Sequence, residues 1–492
     1  MHRSPFTKRF QRRGLAAIVG LAMAGNVYAA DLWTIAQDAL ANDAELASTR
    51  SGFQATEAAR DVQRGTLLPQ IGIGGSVSHT RTYSSPAQGA AGRVQEGAEE
   101  VGAGAAAAAF DQDDTVNSVG ISLDAEQALY DPSRRAQLQR AEREIDRDAL
   151  GLEATQQQLL YNVGNAYFEI LRAHDILSAR RAQETAISRQ LEQARERFEV
   201  GLIAITDVHE AQARFDLARA QRIAAEGAMQ VSFEALERLT GHRYDSIDAL
   251  DEEVPIASPQ PADREEWVAL AMANSPMVLM AEAGIEVARS TLEVSRAGQR
   301  PVVSAFANYG WADTDRSGAA HQSESQVGLR ASLPLYTGGS TQAQIRQSGF
   351  LLEATQYDFE AQRRDTIQQV RSLFTRVNND VETVEARRQA IISNQSALEA
   401  TRSGYEVGTR NIVDVLNAEQ NLFNAIAEHA EARYDYVLGL LQLQLQAGIL
   451  GADSIQAVNA WLSDEERVSL ELPDEANDNP VMNIGERPQA PS

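Results

Sequence analysis

Two residue types are almost absent from this chain. It contains no cysteine, and its only lysine is Lys8. Without cysteine it can form no disulfide and can carry no lipid on an acylated cysteine. Without lysine beyond position 8 it can hold neither a phosphate-loop lysine nor a lysine nucleophile. Any attachment to a membrane must therefore come from the folded structure itself.

Basic residues are outnumbered by acidic ones, 44 to 69, and long apolar runs are scarce. The formal net charge is −25, which argues against nucleic acid as a partner because binding to phosphates requires basic patches. After residue 30 no apolar run reaches the length of about 20 residues that a transmembrane helix needs. An exported chain without such a helix is soluble in the periplasm, secreted, or inserted as a β-barrel.

Residues 1–30 have the pattern of a secretory signal peptide. A basic segment precedes the apolar run Leu15–Ala24, and small residues follow, so we expect cleavage near Ala29 or Ala30. The basic residues are Arg3, Lys8, Arg9, Arg12 and Arg13. An N-terminal anchor helix is the alternative, although the run is too short to span a bilayer. The sequence therefore predicts export.

The chain reads as two copies of one unit. Arg197–Val208 (RFEVGLIAITDV) aligns with Gly404–Val415 (GYEVGTRNIVDV), with an aromatic residue, Glu, Val, Gly, Ile, Asp and Val in register. A Pro- and acid-rich stretch separates the copies, and the C-terminal end is rich in residues typical of disorder. The predicted parts are a first repeat at 31–244, a linker at 245–262, a second repeat at 263–450, and a partly disordered equatorial and C-terminal tail at 451–492.

Each copy holds two segments in which apolar residues alternate with small or polar ones. They predict strands near 69–83 and 115–130 in the first copy, and near 301–313 and 325–337 in the second. Such segments are typical of transmembrane barrel strands, although each alone could equally belong to a soluble sandwich. The Gly/Ala-rich segment 84–114 would be a loop outside the cell.

Four strands cannot close a barrel, and lipid does not tolerate an open sheet edge. The subunit must therefore share its barrel with copies of itself. Two copies would give eight strands, a barrel filled by side chains, whereas three would give twelve strands, wide enough for an opening. We predict a homotrimer set in outer-membrane lipid.

The rest of the sequence predicts helices of unusual length. From Pro132 to about 199, and again from 339 to about 405, the chain has almost no glycine and no further proline. At 1.5 Å per residue each run would be about 100 Å long. Return helices to about 240 and about 447 carry apolar stripes typical of antiparallel coiled coils. The chain reverses at two Val-Gly pairs, where glycine releases the backbone from the helix.

The duplicated plan, and above all RFEVGLIAITDV and GYEVGTRNIVDVLNAEQNLFNA (Gly404–Ala425), closely resembles the TolC-type family of trimeric outer-membrane channels. The similarity extends from Asp31 to about Gly451. It implies a mainly α fold with β, in which a barrel of four strands per subunit continues into a long periplasmic α-helical barrel of coiled coils. It also implies a passive duct for tripartite efflux or type I secretion, which uses no cofactor and docks with a periplasmic adaptor and an inner-membrane pump of RND or ABC type.

The resemblance assigns the gate to four residues at the helix tips. Tyr405 would contact Asp207, and Arg410 would contact Thr206 and Asp207. Charge-assisted hydrogen bonds of this kind fix two helices together, yet an adaptor could replace them. The alternative is a surface ion pair worth about 0–1 kcal/mol. The adaptor would dock on the helix turns at Val200, Gly201, Leu202, Val407, Gly408 and Thr409.

The resemblance also implies two rings of aspartate at the entrance constriction. Asp414 matches the first ring, but Asn417 stands at the second position, so the match is broken. One acid per subunit still concentrates cations at a narrow mouth, and we expect cation block there rather than a structural metal site. The alternative is that Asp414 caps or solvates the start of its helix.

Two other classes of protein fit the sequence less well. An enzyme is not expected, because the chain shows no zinc-binding His pair, no nucleophile elbow and no glycine-rich phosphate loop. A periplasmic coiled-coil adaptor or a surface adhesin without a pore would explain the long helices. It would not explain four strands of the lipid-facing type.

Overall fold

The computed structural model describes residues 30–82, 114–251, 254–315 and 321–469. Residues 1–29 of the predicted signal peptide, almost all of the predicted loop 84–114, and the tail after residue 469 lie outside these ranges. The helices are α1 Leu32–Asn42, α2 Ala44–Gly65, α3 Pro132–Glu199, α4 Ile205–Thr240, α5 Arg264–Asn274, α6 Pro276–Ala297, α7 Ser340–Glu406, α8 Ile412–Gln446 and α9 Ala452–Asn459. The strands are β1 Gln70–Thr82, β2 Asp114–Tyr130, β3 Ser246–Leu250, β4 Val302–Thr314, β5 Gln322–Ser332 and β6 Leu462–Ser469.

The two longest helices begin at defined signals. Asp131 caps α3, because its carboxylate accepts hydrogen bonds from the backbone N–H groups of Ser133 and Arg134, each at 3.0 Å. Pro132 occupies the first helical position, where its missing N–H costs nothing. α7 follows Gly338 and Gly339, which both have positive φ. The two helices contain 68 and 67 residues, so each is about 100 Å long.

Four strands form one antiparallel sheet in the order β1-β2-β4-β5. The register places Ile73 opposite Leu123, and Leu123 opposite Tyr309, so these side chains share one face. Nine exposed large apolar residues of the sheet lie on that face: Ile71, Ile73, Val77, Val119, Ile121, Leu123, Tyr309, Val327 and Leu329. The outer edges of β1 and β5 have no neighbouring strand among the residues that the structure describes.

Two details differ from the sequence prediction. The last strand of the large sheet ends at Ser332 rather than near 337, because Pro334 has no N–H for the ladder. The predicted linker also contains a strand, β3, which pairs antiparallel with β6 from the predicted tail. These two strands form a separate small sheet.

The buried apolar residues form two clusters. The larger one, the central core, lies midway along the long helices and includes Tyr167, Trp267, Tyr434, Val437 and Leu441. The smaller one, the tip core, lies where α3 and α4 meet the start of α8. Its buried members are Ile187, Leu191, Ala194, Ala211, Ala218, Ile412 and Leu416.

Over the described ranges, no single helix has the length and apolar composition to cross a membrane. The bent pair α5 and α6, with an angle of 44° between them, meets those criteria only when the two helices are taken together.

Candidate entrance gate at the helix tips

The chain reverses from α3 to α4 through a glycine turn. Gly201 has φ 75°, a left-handed conformation that strains any residue with a β-carbon. Its N–H donates to the carbonyl of Phe198 at 2.9 Å, and the N–H of Leu202 donates to the carbonyl of Arg197 at 2.8 Å. These bonds satisfy the last carbonyls of α3.

The turn from α7 to α8 repeats that geometry. Gly408 has φ 77°, and its N–H donates to the carbonyl of Tyr405 at 3.1 Å. The N–H of Thr409 donates to the carbonyl of Gly404 at 2.8 Å. The duplicated motif therefore encodes two copies of one turn. Apolar side chains project from both, since Val200, Leu202 and Val407 are at least 70% exposed.

Tyr405 packs against the tip core, and the guanidinium of Arg197 lies 4.9 Å from the centre of its ring. Contact of this type between a cation and an aromatic face is favourable, and here it joins the end of α7 to the end of α3. Arg410 lies 4.0 Å from a carboxylate oxygen of Asp414. Within the subunit, no hydrogen bond between described side chains joins Tyr405 or Arg410 to Thr206 or Asp207. The predicted gating contacts stay predictions.

Asp414 lies at the start of α8, in a capping box. The Asn411 side chain accepts from the Asp414 backbone N–H at 2.8 Å, while the Asp414 carboxylate accepts from the Asn411 backbone N–H at 3.3 Å. The capping alternative for Asp414 is thus part of the structure. The capping box uses one carboxylate oxygen of Asp414. A capping role and a role at the entrance are therefore compatible.

Asn417 is held by an arginine that the sequence did not single out. A terminal nitrogen of Arg214 on α4 donates to the Asn417 side-chain oxygen at 3.0 Å, and the other donates to Gln420 at 3.1 Å. Asn417, which stands where a second ring of aspartate was expected, therefore takes part in a contact between α4 and α8.

Glu419 is the second residue that sequence reasoning missed. Its side chain is fully buried, and one oxygen accepts from Arg402 on α7 at 2.6 Å and from Gln190 on α3 at 3.2 Å. Its other oxygen has no hydrogen-bond partner. A signal was available, because Glu419 interrupts the apolar stripe of α8 one turn after Val415 and Leu416.

The described residues at the tips make contacts between helices. Among the described residues, no cluster of three or more His, Cys, Asp or Glu side chains could hold a metal ion. Two long coiled-coil pairs that end in these tips, joined to a sheet with one continuous apolar face, define the subunit of a membrane exit duct.

Comparisons with known proteins agree with that class. The family model described as "Outer membrane efflux protein" matches residues 35–242 and 267–448. Outer membrane protein TolC of Vibrio cholerae is 34% identical over 441 residues, covering 89% of this chain and 94% of the relative. Alkaline protease secretion protein AprF of Pseudomonas aeruginosa is 30% identical over 355 residues, which cover 71% of this chain and 74% of AprF. The chain belongs to the outer membrane efflux protein family.

Solved structures show the same fold. CusC superposes with a TM-score of 0.71 at 15% identity, covering 90% of this chain and 99% of CusC. VceC of Vibrio cholerae superposes with a TM-score of 0.69 at 18% identity, covering 85% and 97%. The chain is thus an outer-membrane exit duct whose sheet lies in the membrane and whose helical body lies in the periplasm.

Proposed function

We propose that three copies of this chain form one passive duct, with a closed barrel of twelve strands above a tunnel of long helices. The observation that carries the proposal is the four-stranded sheet, which has a continuous exposed apolar face and two open edges. The face suits lipid, but unpaired edges do not. Pairing β1 of one copy with β5 of the next removes every edge at once.

The closed entrance would be held by contacts between neighbouring subunits. Tyr405 and Arg410 on one subunit would bind Thr206 and Asp207 on another, since no hydrogen bond between the described side chains joins these pairs within one subunit. A carboxylate that accepts from a phenol and a guanidinium forms charge-assisted bonds. Asp414 would line the constriction with one acid per subunit, next to Asn417.

The two helix turns would form the docking surface for a periplasmic adaptor. Val200, Leu202 and Val407 expose apolar side chains at the ends of the coiled coils, next to Gly201, Gly408 and Thr409. Exposed apolar side chains grouped in this way favour a protein partner. The adaptor would connect the duct to an inner-membrane pump of RND or ABC type, as expected for a family that includes efflux and secretion proteins.

The gate can be tested by single-channel recording in planar bilayers. Replacing Tyr405 by Phe together with Arg410 by Ser should raise the conductance several-fold. The matched control is Tyr357→Phe with Arg363→Ser, the same two changes on α7 about 70 Å from the tip. Equal conductance of the gate variant and the parent would remove these residues from the gate.

Oligomer formation separates the duct from an adaptor or adhesin. The duct should give a heat-resistant trimer in detergent extracts of outer membranes. A mature chain that stays monomeric and dissolves without detergent would overturn the proposal.

A further inference from the structure

The start of α8 is tied to α4 by hydrogen bonds from one arginine. Arg214 extends from α4 and donates to Asn417 at 3.0 Å and to Gln420 at 3.1 Å, both on α8. These acceptors lie one helical turn apart, so the two terminal nitrogens of a single guanidinium reach both. The remaining guanidinium nitrogen donates to Glu210, one turn earlier on α4, at 3.3 Å. Glu210 thereby orients the guanidinium towards α8.

A second polar tie lies beside the first. The buried carboxylate of Glu419 accepts from Gln190 on α3 and from Arg402 on α7. At this level α8 therefore has polar partners on all three neighbouring long helices. If α8 moved away from α3 and α4, the Glu419 carboxylate would lose one of the few donors it has, since its other oxygen is already without a partner.

The pair α3–α4 has ion pairs of its own. Arg222 on α4 binds Glu184 on α3 at 2.6 Å and Glu226 on α4 at 2.7 Å. These contacts do not involve α8. The pair α3–α4 can thus stay together while the contact with α8 breaks, which makes the Arg214 contact separable from the rest of the tip.

We propose that Arg214 is a latch that holds α8 against α4 within each subunit, and that the entrance opens only when Arg214 releases Asn417 and Gln420. The inference rests on the proposed gate, because it adds a contact inside the subunit to contacts between subunits. Both acceptors are neutral amides. A hydrogen bond from a guanidinium to an amide is weaker than a salt bridge to a carboxylate, so the latch holds the helix and still releases it.

The latch gives Asn417 a role at the position where the resemblance implies a second ring of aspartate. Its side-chain oxygen accepts from Arg214 instead of adding a second acid to the constriction. Arg214 is a positioning residue, and its effect reaches the entrance through the placement of α8.

The test is the conductance of the full-length channel in bilayers. Arg214→Gln should raise the conductance several-fold, and Arg214→Lys should give an intermediate value because an ammonium lacks the two-pronged geometry. The control Arg222→Gln removes an arginine with two ion pairs on the same helix and should leave the conductance unchanged. Gln420→Glu should have the opposite effect and lower the open probability, because it converts one hydrogen bond of the latch into a salt bridge.

Non-additivity provides the second measurement. Asn417→Ala with Gln420→Ala should open the channel as far as Arg214→Gln, and combining all three changes should add nothing further. The latch is overturned if Arg214→Gln conducts like the parent, or if Arg222→Gln opens the channel equally.

The variant Tyr405→Phe with Arg410→Ser distinguishes the two proposals. If it opens the channel while Arg214→Gln does not, the gate stands and the latch fails. If the parent protein inserts no channel at all, the duct and the latch fail together. The yield of heat-resistant trimer, compared between Arg214→Gln and Arg222→Gln, shows whether a variant has lost its fold rather than its latch.

Discussion

The helix α8 passes through both cores, and they are built differently. In its C-terminal half Tyr434 contacts Phe168, with ring centres 6.3 Å apart, and Phe168 meets Tyr167 edge-on at 5.6 Å. The hydroxyl of Tyr434 donates to Asp175 at 2.7 Å, and burial raises the pKa of Tyr434, so the hydroxyl keeps its proton. Near the N-terminal end of α8, Leu416 packs in the tip core.

The difference lies in how much apolar surface each contact removes from water. Three buried members of the tip core are alanines, namely Ala194, Ala211 and Ala218, whereas the central core buries large aromatic side chains. The free energy of burial grows with apolar area, so separating the helices costs far less at the tip. Polar ties such as Arg214 to Asn417 make up part of the contact there. One helix can therefore be fixed in its C-terminal half, within the central core, and movable at its N-terminal end.

The largest expected effect is at the centre. Tyr434→Ala should lower the free energy of unfolding by about 3–5 kcal/mol, as large-to-small changes at buried aromatic residues do. The control Tyr434→Phe keeps the ring and loses only the hydrogen bond to Asp175, which should cost about 1 kcal/mol. The measurement is the urea midpoint of the detergent-solubilised protein at one fixed concentration, since assembly makes that midpoint concentration-dependent. A midpoint unchanged by Tyr434→Ala would contradict the central role of this core.

A smaller effect on stability is expected at the tip. Leu416→Ala and Leu443→Ala make the same change on one helix at two fully buried positions. A buried Leu→Ala change costs about 2–5 kcal/mol when the site unfolds with the whole protein. Leu443→Ala should lower the urea midpoint accordingly. Leu416→Ala should lower it much less, because the tip opens locally before the centre.

Hydrogen exchange checks the same pair of variants. Leu416→Ala should speed exchange of the first backbone amides of α8 and leave those near Tyr434 protected. If both variants lower the midpoint equally, the tip core and the central core unfold as one cooperative unit, and the proposed difference between them is wrong.

The sequence predicted the parts of the fold that depend on local pattern. The long helices are encoded by stretches without proline, and both turns by a repeated Val-Gly pair, so their positions follow from the chain itself. The small sheet was missed because β3 contains five residues and its partner β6 lies more than 200 residues later. A strand that short has no periodicity to detect.

The candidate site shows the same limit. The motif located Tyr405, Asp207 and Asp414, because the tips repeat. It did not indicate Arg214 as the partner of Asn417, since the two residues are 203 positions apart and meet only through the rotation of α4 against α8. Side-chain partners across packed helices depend on that rotation, which no local pattern specifies.

The smallest expected effect on stability concerns Asp414, and it separates capping from the constriction. Asn411→Ala removes the N-cap and should cost about 1 kcal/mol, while the carboxylate of Asp414 stays at the entrance. Asp414→Ala removes the reciprocal bond of the capping box at a similar cost and also removes the charge. Block of single-channel current by trivalent cations added from the periplasmic side should therefore weaken greatly in Asp414→Ala and persist in Asn411→Ala. If both variants keep the block, Asp414 serves only its helix. If both variants lose the block equally, the placement of α8 rather than the charge of Asp414 controls the block. In that case the position of α8 at the tip depends on its N-cap.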